Sequence, residues 1–151
     1  MAIQTEHQFS IDAPIEKVWK YFSDPPKVVP CLPGAELTEI IGDGMYKGDV
    51  GFRFGQINAR FSGTAEITGM DNTNHTMTLR TKGDQQGATS RAEAEIWFSC
   101  QETDSQTTLV TINSEISISG RLAQLGGSMI QSISKYMFDR FAKCVQEVLS
   151  T

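Results

Sequence analysis

Groups able to do chemistry are few in this chain, and their spacing fits no common catalytic scheme. There are two histidines, His7 and His75, and three cysteines, Cys31, Cys100 and Cys144. His7 falls on the apolar parity of an alternating segment, which marks a core or rim position before it marks a general base. His75 lies in a polar turn cluster, where a solvated side chain is the expectation. Neither has a cysteine or carboxylate spaced to make a nucleophile–base pair. The cysteines are odd in number and far apart, with no CxxC pair and no zinc spacing. No HExxH, GxSxG or phosphate-loop pattern occurs. Ser62-Gly-Thr and Ser119-Gly-Arg read as strand-end features, not nucleophile elbows. Glu93 and Glu95 share a parity opposite Ala92 and Ala94, so beside Arg91 they form an outward charged row, not a catalytic acid pair. The expectation is a chain that is not an enzyme and has no metal or cofactor site.

Composition narrows the class further. A length of 151 residues is expected to form a single domain. A domain of that size needs neither a disulfide nor a metal to fold. The formal net charge is −5, from 13 basic and 18 acidic residues. That balance argues against nucleic acid as a partner, because such binding rests on neutralising phosphates. The N-terminus is polar and acidic, unlike a signal peptide. Apolar runs fall short of the ~20 residues a membrane span needs. The C-terminal Val-Leu-Ser-Thr carries no lipidation cysteine. The chain therefore reads as soluble and cytoplasmic.

The elements follow from periodicity. Residues 3–11 alternate apolar and polar, as a half-buried strand does. Asp12, Pro14 and Glu16 then announce a helix with an acidic cap and a stripe of Ile15, Val18, Trp19 and Phe22. Residues 24–35 hold four of the five prolines, so no regular helix runs through the whole segment. Period-two segments follow at 35–41, 45–54, 57–70, 76–82, 88–100 and 107–119, joined by turns such as Gly42-Asp43-Gly44 and Asp71-Asn72-Thr73-Asn74. Together they predict a seven-stranded antiparallel sheet. From Gly120 to Leu149 the apolar residues recur at three- and four-residue steps, which predicts one amphipathic helix of about eight turns. A curved sheet wrapped around that helix buries its stripe. The class is α+β.

Small residues on the inward parity (Gly48, Gly63, Ala65, Ala92, Ala94) and the Ala123, Gly126, Gly127 and Ser128 turn leave room between sheet and helix. A thinned helix turn with apolar surroundings suits a small apolar ligand, and equally suits a kink or close helix–sheet packing. The candidate lining is Phe22, Val28, Val29 and Leu32 from the proline-rich end, Phe52, Phe54 and Phe61 from the strands, and Ile118, Leu122, Leu125, Gly126, Met129, Ile130, Ile133 and Met137 from the C-terminal part. Val28, Val29 and Leu32 are expected to face the turn around Gly126, with Cys31 as a small buried lid residue. The free edges of a wrapped sheet also allow a homodimer.

Several motifs resemble one family. Phe9-Ser-Ile-Asp-Ala-Pro-Ile-Glu-Lys-Val-Trp is similar to the opening of START and Bet v 1-like domains of the SRPBCC superfamily. Cys31-Leu-Pro-Gly-Ala35, Tyr46-Lys-Gly-Asp-Val, Phe54-Gly-Gln-Ile, Phe61-Ser-Gly-Thr-Ala and Ile118-Ser-Gly-Arg-Leu-Ala-Gln-Leu-Gly resemble the G-subunit family of carbon monoxide dehydrogenase. The resemblance covers nearly the whole chain. It implies a helix-grip fold with two short helices after the first strand and a hydrophobic cavity. It further implies a non-catalytic accessory protein of a molybdenum hydroxylase, a lipophilic ligand such as a quinone, and peripheral membrane association through a partner. No catalytic residues transfer from the family. Two other readings stand beside it: an assembly factor with a vestigial cavity, and a small cyclase or hydratase.

Overall fold

Alternation of apolar and polar residues builds most of this molecule, a computed structural model that describes residues 2–150. The elements are β1 (Ala2–Ile11), α1 (Ile15–Phe22), α2 (Pro25–Val28), a 3-10 turn (Val29–Cys31), β2 (Ala35–Gly42), β3 (Met45–Phe54), β4 (Ile57–Asp71), β5 (Thr76–Gln85), β6 (Arg91–Asp104), β7 (Thr107–Ser119), a second 3-10 turn (Arg121–Leu125) and α3 (Gly127–Leu149). The seven strands form one sheet in the order β1-β7-β6-β5-β4-β3-β2, with every neighbouring pair antiparallel. Strands β2 to β7 make a meander and β1 returns beside β7, so β1 and β2 are the free edges. This is the expected helix-grip arrangement.

The proline-rich segment resolves into short pieces set by where proline is tolerated. Pro25 and Pro26 open α2, and Pro30 lies in the first turn of the 3-10 segment. At those positions the missing N–H has no helical partner to lose. At α1 the expected acidic cap is absent. Pro14 stands at the N-cap without a side-chain bond, and the Ala13 amide turns back to the Ile11 carbonyl at 2.9 Å. That tight turn leaves Asp12 outside the cap position.

The C-terminal helix is shorter than the periodicity predicts. Gly120 (φ 85°, ψ −158°) and Gly126 (φ 86°, ψ 161°) bracket the Arg121–Leu125 turn, and α3 starts only at Gly127. Both glycines occupy backbone space open essentially to glycine alone, so the apolar spacing continues while the helix does not. Strand β5 runs on to Gln85, and β6 begins at Arg91 and reaches Asp104, each shifted from the expected bounds.

Burial divides into two clusters. The larger joins Ile11, Val18, Trp19, Phe22, Met77, Phe98, Val110, Phe141 and Val145 beneath α1 and the C-terminal half of α3. The smaller gathers Ile3, Ile118 and Ile130 at the other end, with Leu122 and Leu125 packed on it. Polar contacts secure the larger one. The Trp19 indole N–H donates to Asn72 Oδ1 at 2.9 Å, the buried Thr108 hydroxyl donates to the Ala13 carbonyl at 2.9 Å, and the Gln146 amide donates to the Ser10 carbonyl at 2.7 Å.

Two of the cysteines that lie far apart in sequence are joined: Cys31 and Cys144 form a disulfide, with Cα atoms 5.4 Å apart and a sequence separation of 113. Sequence distance hid the pair because the fold, not the spacing, brings the proline-rich segment onto α3. Cys100 remains free and buried, and burial pushes its thiol up to about 12, which makes it unreactive. Cross-links contribute about 2–4 kcal/mol, rising toward about 5 for a ring this long. Replacing Cys144 with serine is expected to lower unfolding stability by about that amount. Denaturant unfolding with and without dithiothreitol checks it: the reductant should shift the wild type and leave the variant unmoved.

Candidate functional site

The inner face of the sheet can be followed row by row through the strand register. One row runs Met77–Phe98–Ile112–His7 and the next Ile67–Leu79–Ile96–Ser114–Thr5. Below them lie Tyr46–Ala65–Thr81–Ala94–Ile116–Ile3 and Gly48–Gly63–Gly83–Ala92–Ile118. The first row belongs to the larger core, and Ile3 and Ile118 belong to the smaller one. Between them the central strands carry alanine, glycine and threonine. Ala65, Thr81, Ala92, Ala94, Leu79 and Ile96 are each only part-buried, although they lie on interior strands of the sheet. A floor of short side chains thus separates two cores, and solvent reaches it.

The helix side of this trough comes from α3. Ile130 and Ile133 are buried, Met137 is part-buried and Met129 is 38% exposed. Helix α3 packs along β1 and against the Val29–Cys31 turn, and its Phe141 and Val145 join Met77 and Phe98 in the larger core, so Val50, Phe52, Phe54 and Phe61 of β3 and β4 are left incompletely covered. Phe54 at the end of β3 reaches across to Tyr136, ring centroids 5.6 Å apart. Arg140 lies over the same tyrosine, its guanidinium 5.6 Å from the ring and donating to the hydroxyl at 3.1 Å. Val50 is 42% and Leu32 is 39% exposed, and Phe52 and Phe61 on the same inward parity are part-buried. These exposures leave an incompletely covered apolar trough on the inner face, with these residues on its rim.

The expected lining residues separate accordingly. Leu32, Phe52, Phe54, Phe61, Met129 and Met137 are part-buried or exposed on the inner side. Phe22 is packed among Tyr21, Phe98 and Phe141 as core. Ile118 and Ile130 are fixed in the smaller core, with Leu122 and Leu125 against them. Val28 packs on the larger core, and Val29 is part-buried beside it. These valines and Leu32 do not face Gly126. The disulfide sets their segment over Cys144, about 27 Å farther along the helix axis at ~1.5 Å per residue. Gly126 itself is a backbone joint before α3, with open space around its Cβ position, so it is no thinned helix face. Gly48 and Gly63 also have a reason other than room. A Cβ on Gly63 would collide with the Lys82 carbonyl, and one on Gly48 would lie 2.7 Å from the Glu36 carbonyl. They let neighbouring strands draw close where the sheet curls.

Titratable groups on the inner face are sparse. His7 stacks on Phe138 with ring centroids 4.2 Å apart, and its Nε2 lies 3.3 Å from the Ser134 hydroxyl. Burial lowers its pKa, the Asp139 carboxylate opposes that and Lys135 adds to it. Burial first, then Asp24 and Asp43, push the Tyr46 phenol up. No acid is buried among the described residues, and no three His, Cys, Asp or Glu side chains converge as a metal site there. Glu93 and Glu95 are exposed, and Glu95 pairs with Arg80 at 3.1 Å, so the outward row is as expected. His75 departs from expectation: it is part-buried at φ 55° and meets Trp19 edge-on at 5.3 Å. Tyr136 is absent from the expected lining because one exposed tyrosine in a helix gives no periodic signal. The signal that was available is its four-residue spacing to Arg140.

Residues 8–150 match the family model of the carbon monoxide dehydrogenase G subunit, CoxG. The chain belongs to that family. No curated protein sequence matches it. Among solved structures, a conserved protein from Geobacillus kaustophilus superposes on this CoxG family member with a TM-score of 0.88 at 20% identity, covering 98% of this chain and 95% of that one. A START superfamily protein from Mycobacterium smegmatis gives 0.65 at 14% identity, covering 97% of each chain. Norcoclaurine synthase from Thalictrum flavum, in complex with dopamine and hydroxybenzaldehyde, gives 0.64 at 19% identity, covering 97% of this chain and 88% of that one. At these identities the three share its fold.

The His7 geometry gives a direct test. Burial favours the neutral imidazole in the folded chain, so the unfolded chain binds more protons as pH falls past the ordinary pKa of 6.5. The stability this represents is complete above that value and is lost as pH falls from it through the lower folded-state pKa. A His7→Gln variant should lose less stability than the wild type between about pH 7 and pH 5. Denaturant midpoints measured across that range decide it; parallel curves would show that His7 does not couple to folding.

Proposed function

We propose that this protein is a non-catalytic accessory subunit of a molybdenum hydroxylase of the carbon monoxide dehydrogenase type, and that its trough holds a lipophilic ligand. The carrying observation is the divided core. A row of small side chains lies between two packed clusters, with Phe52, Phe54, Phe61, Met129 and Tyr136 around it. Leaving that much apolar surface wet forfeits about 25 cal/mol for every Å², and a ligand restores it. The family supplies the partner class, and a quinone is the candidate ligand. Recruitment of the enzyme to a membrane, or electron transfer toward it, is the role such a ligand would serve. No described helix is long and apolar enough to cross a membrane; in this reading the partner mediates association there.

The sparse inner-face chemistry supports the non-catalytic reading over the cyclase or hydratase one. His7, Tyr46, the buried Cys100 and the exposed Glu102 are the ionisable strand residues on the inward parity, and no buried acid accompanies them among the described residues. The vestigial-cavity reading differs in one measurable respect. Titrating short-chain menaquinone and ubiquinone analogues, followed by tryptophan fluorescence and calorimetry, is expected to give micromolar binding. Ala94→Phe, which fills the floor without a backbone change, should weaken it by at least about tenfold. Silence toward every apolar ligand tried, or indifference to Ala94→Phe, sinks the ligand role.

A further inference from the structure

The outer face of the sheet carries a large side chain that neither the cores nor the trough uses. Trp97 on β6 is 40% exposed there. In register it lies between Thr78 of β5 and Asn113 of β7, and Glu6 of β1 is opposite Asn113. Glu115, two residues along β7, is opposite Glu95. Like charges directly opposed across a sheet are destabilising. Arg80 pairs with Glu95, but among the described residues no cation pairs with Glu6 or Glu115. Gln4, Glu6, Trp97, Asn113 and Glu115 border a shallow depression of about 340 Å³. The Oδ1 of Asn113 is buried there without a hydrogen-bond partner.

We infer that this face docks an arginine-bearing basic segment of a partner protein. An exposed indole with carboxylates on its flank is the surface a guanidinium fits: it stacks on the ring and gives its N–H groups to carboxylate oxygens. Strands are ~4.8 Å apart and residues ~3.4 Å along them, which puts the Glu115 backbone about 8 Å and the Glu6 backbone about 10 Å from that of Trp97. One arginine over the indole meets Glu115, and a second basic residue along the segment meets Glu6. A second copy of this chain is a poor occupant, because each copy carries a net charge of −5 and the depression is bordered by Glu6 and Glu115, while the face's own Arg80 is taken up by Glu95. The face is opposite the trough and does not depend on what the trough binds.

The test uses the full chain and the peptide Gly-Arg-Gly-Arg-Gly, with Gly-Glu-Gly-Glu-Gly as control. The Trp97 indole N–H signal in a ¹H–¹⁵N spectrum, assigned by its loss in Trp97→Phe, is the readout. The arginine peptide should shift Trp97 and leave the buried Trp19 in place. Affinity should fall at least about fivefold in Glu6→Gln/Glu115→Gln and when salt is raised from 50 to 300 mM. Glu147→Gln, on α3, should change nothing. Absence of a Trp97 shift, an equal response to the glutamate peptide, or unchanged affinity in the double variant overturns the assignment. A Trp97 shift that tracks protein concentration without peptide identifies a second copy as the occupant and overturns it too. If Trp97→Phe fails to fold, the two glutamate variants carry the comparison.

Discussion

One helix cannot cover seven strands. At ~4.8 Å per strand the sheet is about 30 Å wide, and a helix with its side chains is about 10 Å across. Helix α3 therefore commits to one side, along β1. Everything else on the inner face must be covered by curling the sheet, by the α1–α2 insertion or by something that is not part of the chain. The sheet does curl: Gly48 and Gly63 mark where neighbouring backbones approach too closely for any Cβ. The insertion covers the upper end. The middle is left to short side chains, and the trough is the residue of that geometry.

The same constraint accounts for the covalent and aromatic ties at the helix. Helix α3 lies along an edge strand and reaches the central strands through Phe141 and Val145 of the larger core, so the rest of its length needs separate restraint. The Cys31–Cys144 bond provides it near the C-terminal end, and Phe54 against Tyr136 provides it near the middle. At the N-terminal end the Arg121–Leu125 turn does the equivalent work: its Leu122 amide donates to the buried Ser90 hydroxyl at 2.8 Å. Bonds of the Cys31–Cys144 type persist in oxidising surroundings, so the redox state around the protein decides how firmly the proline-rich segment is held.

Strand existence and the sheet–helix division were legible from period-two and period-3.6 patterning, because each pattern is a direct record of which face is buried, and the short turns implied the antiparallel meander of β2 to β7. What escaped was governed by backbone conformation or by distant contacts. Hydropathy spacing passes through Gly126 undisturbed, while its φ of 86° ends the helix there. Inward glycines look like space in a pattern, although at Gly63 the carbonyl of Lys82 fills it. The disulfide joins residues whose separation carries no local signal. For the trough, the types of its residues were readable. Which of them line it and which sit in a core was not, because Phe22 and Phe52 have the same composition signal and differ only in what packs on them.

The cross-link also changes what kind of object the chain is. With Cys31 bound to Cys144, strands β2 to β7 lie inside a covalent ring, and β1, α1 and α2 lie outside it. Tension applied at the two termini is carried through that bond. Only the segments before Cys31 and after Cys144 can lengthen, so β1 and α1 peel away while the trough floor bears no load. Mechanically, the molecule is a closed loop with two short leads.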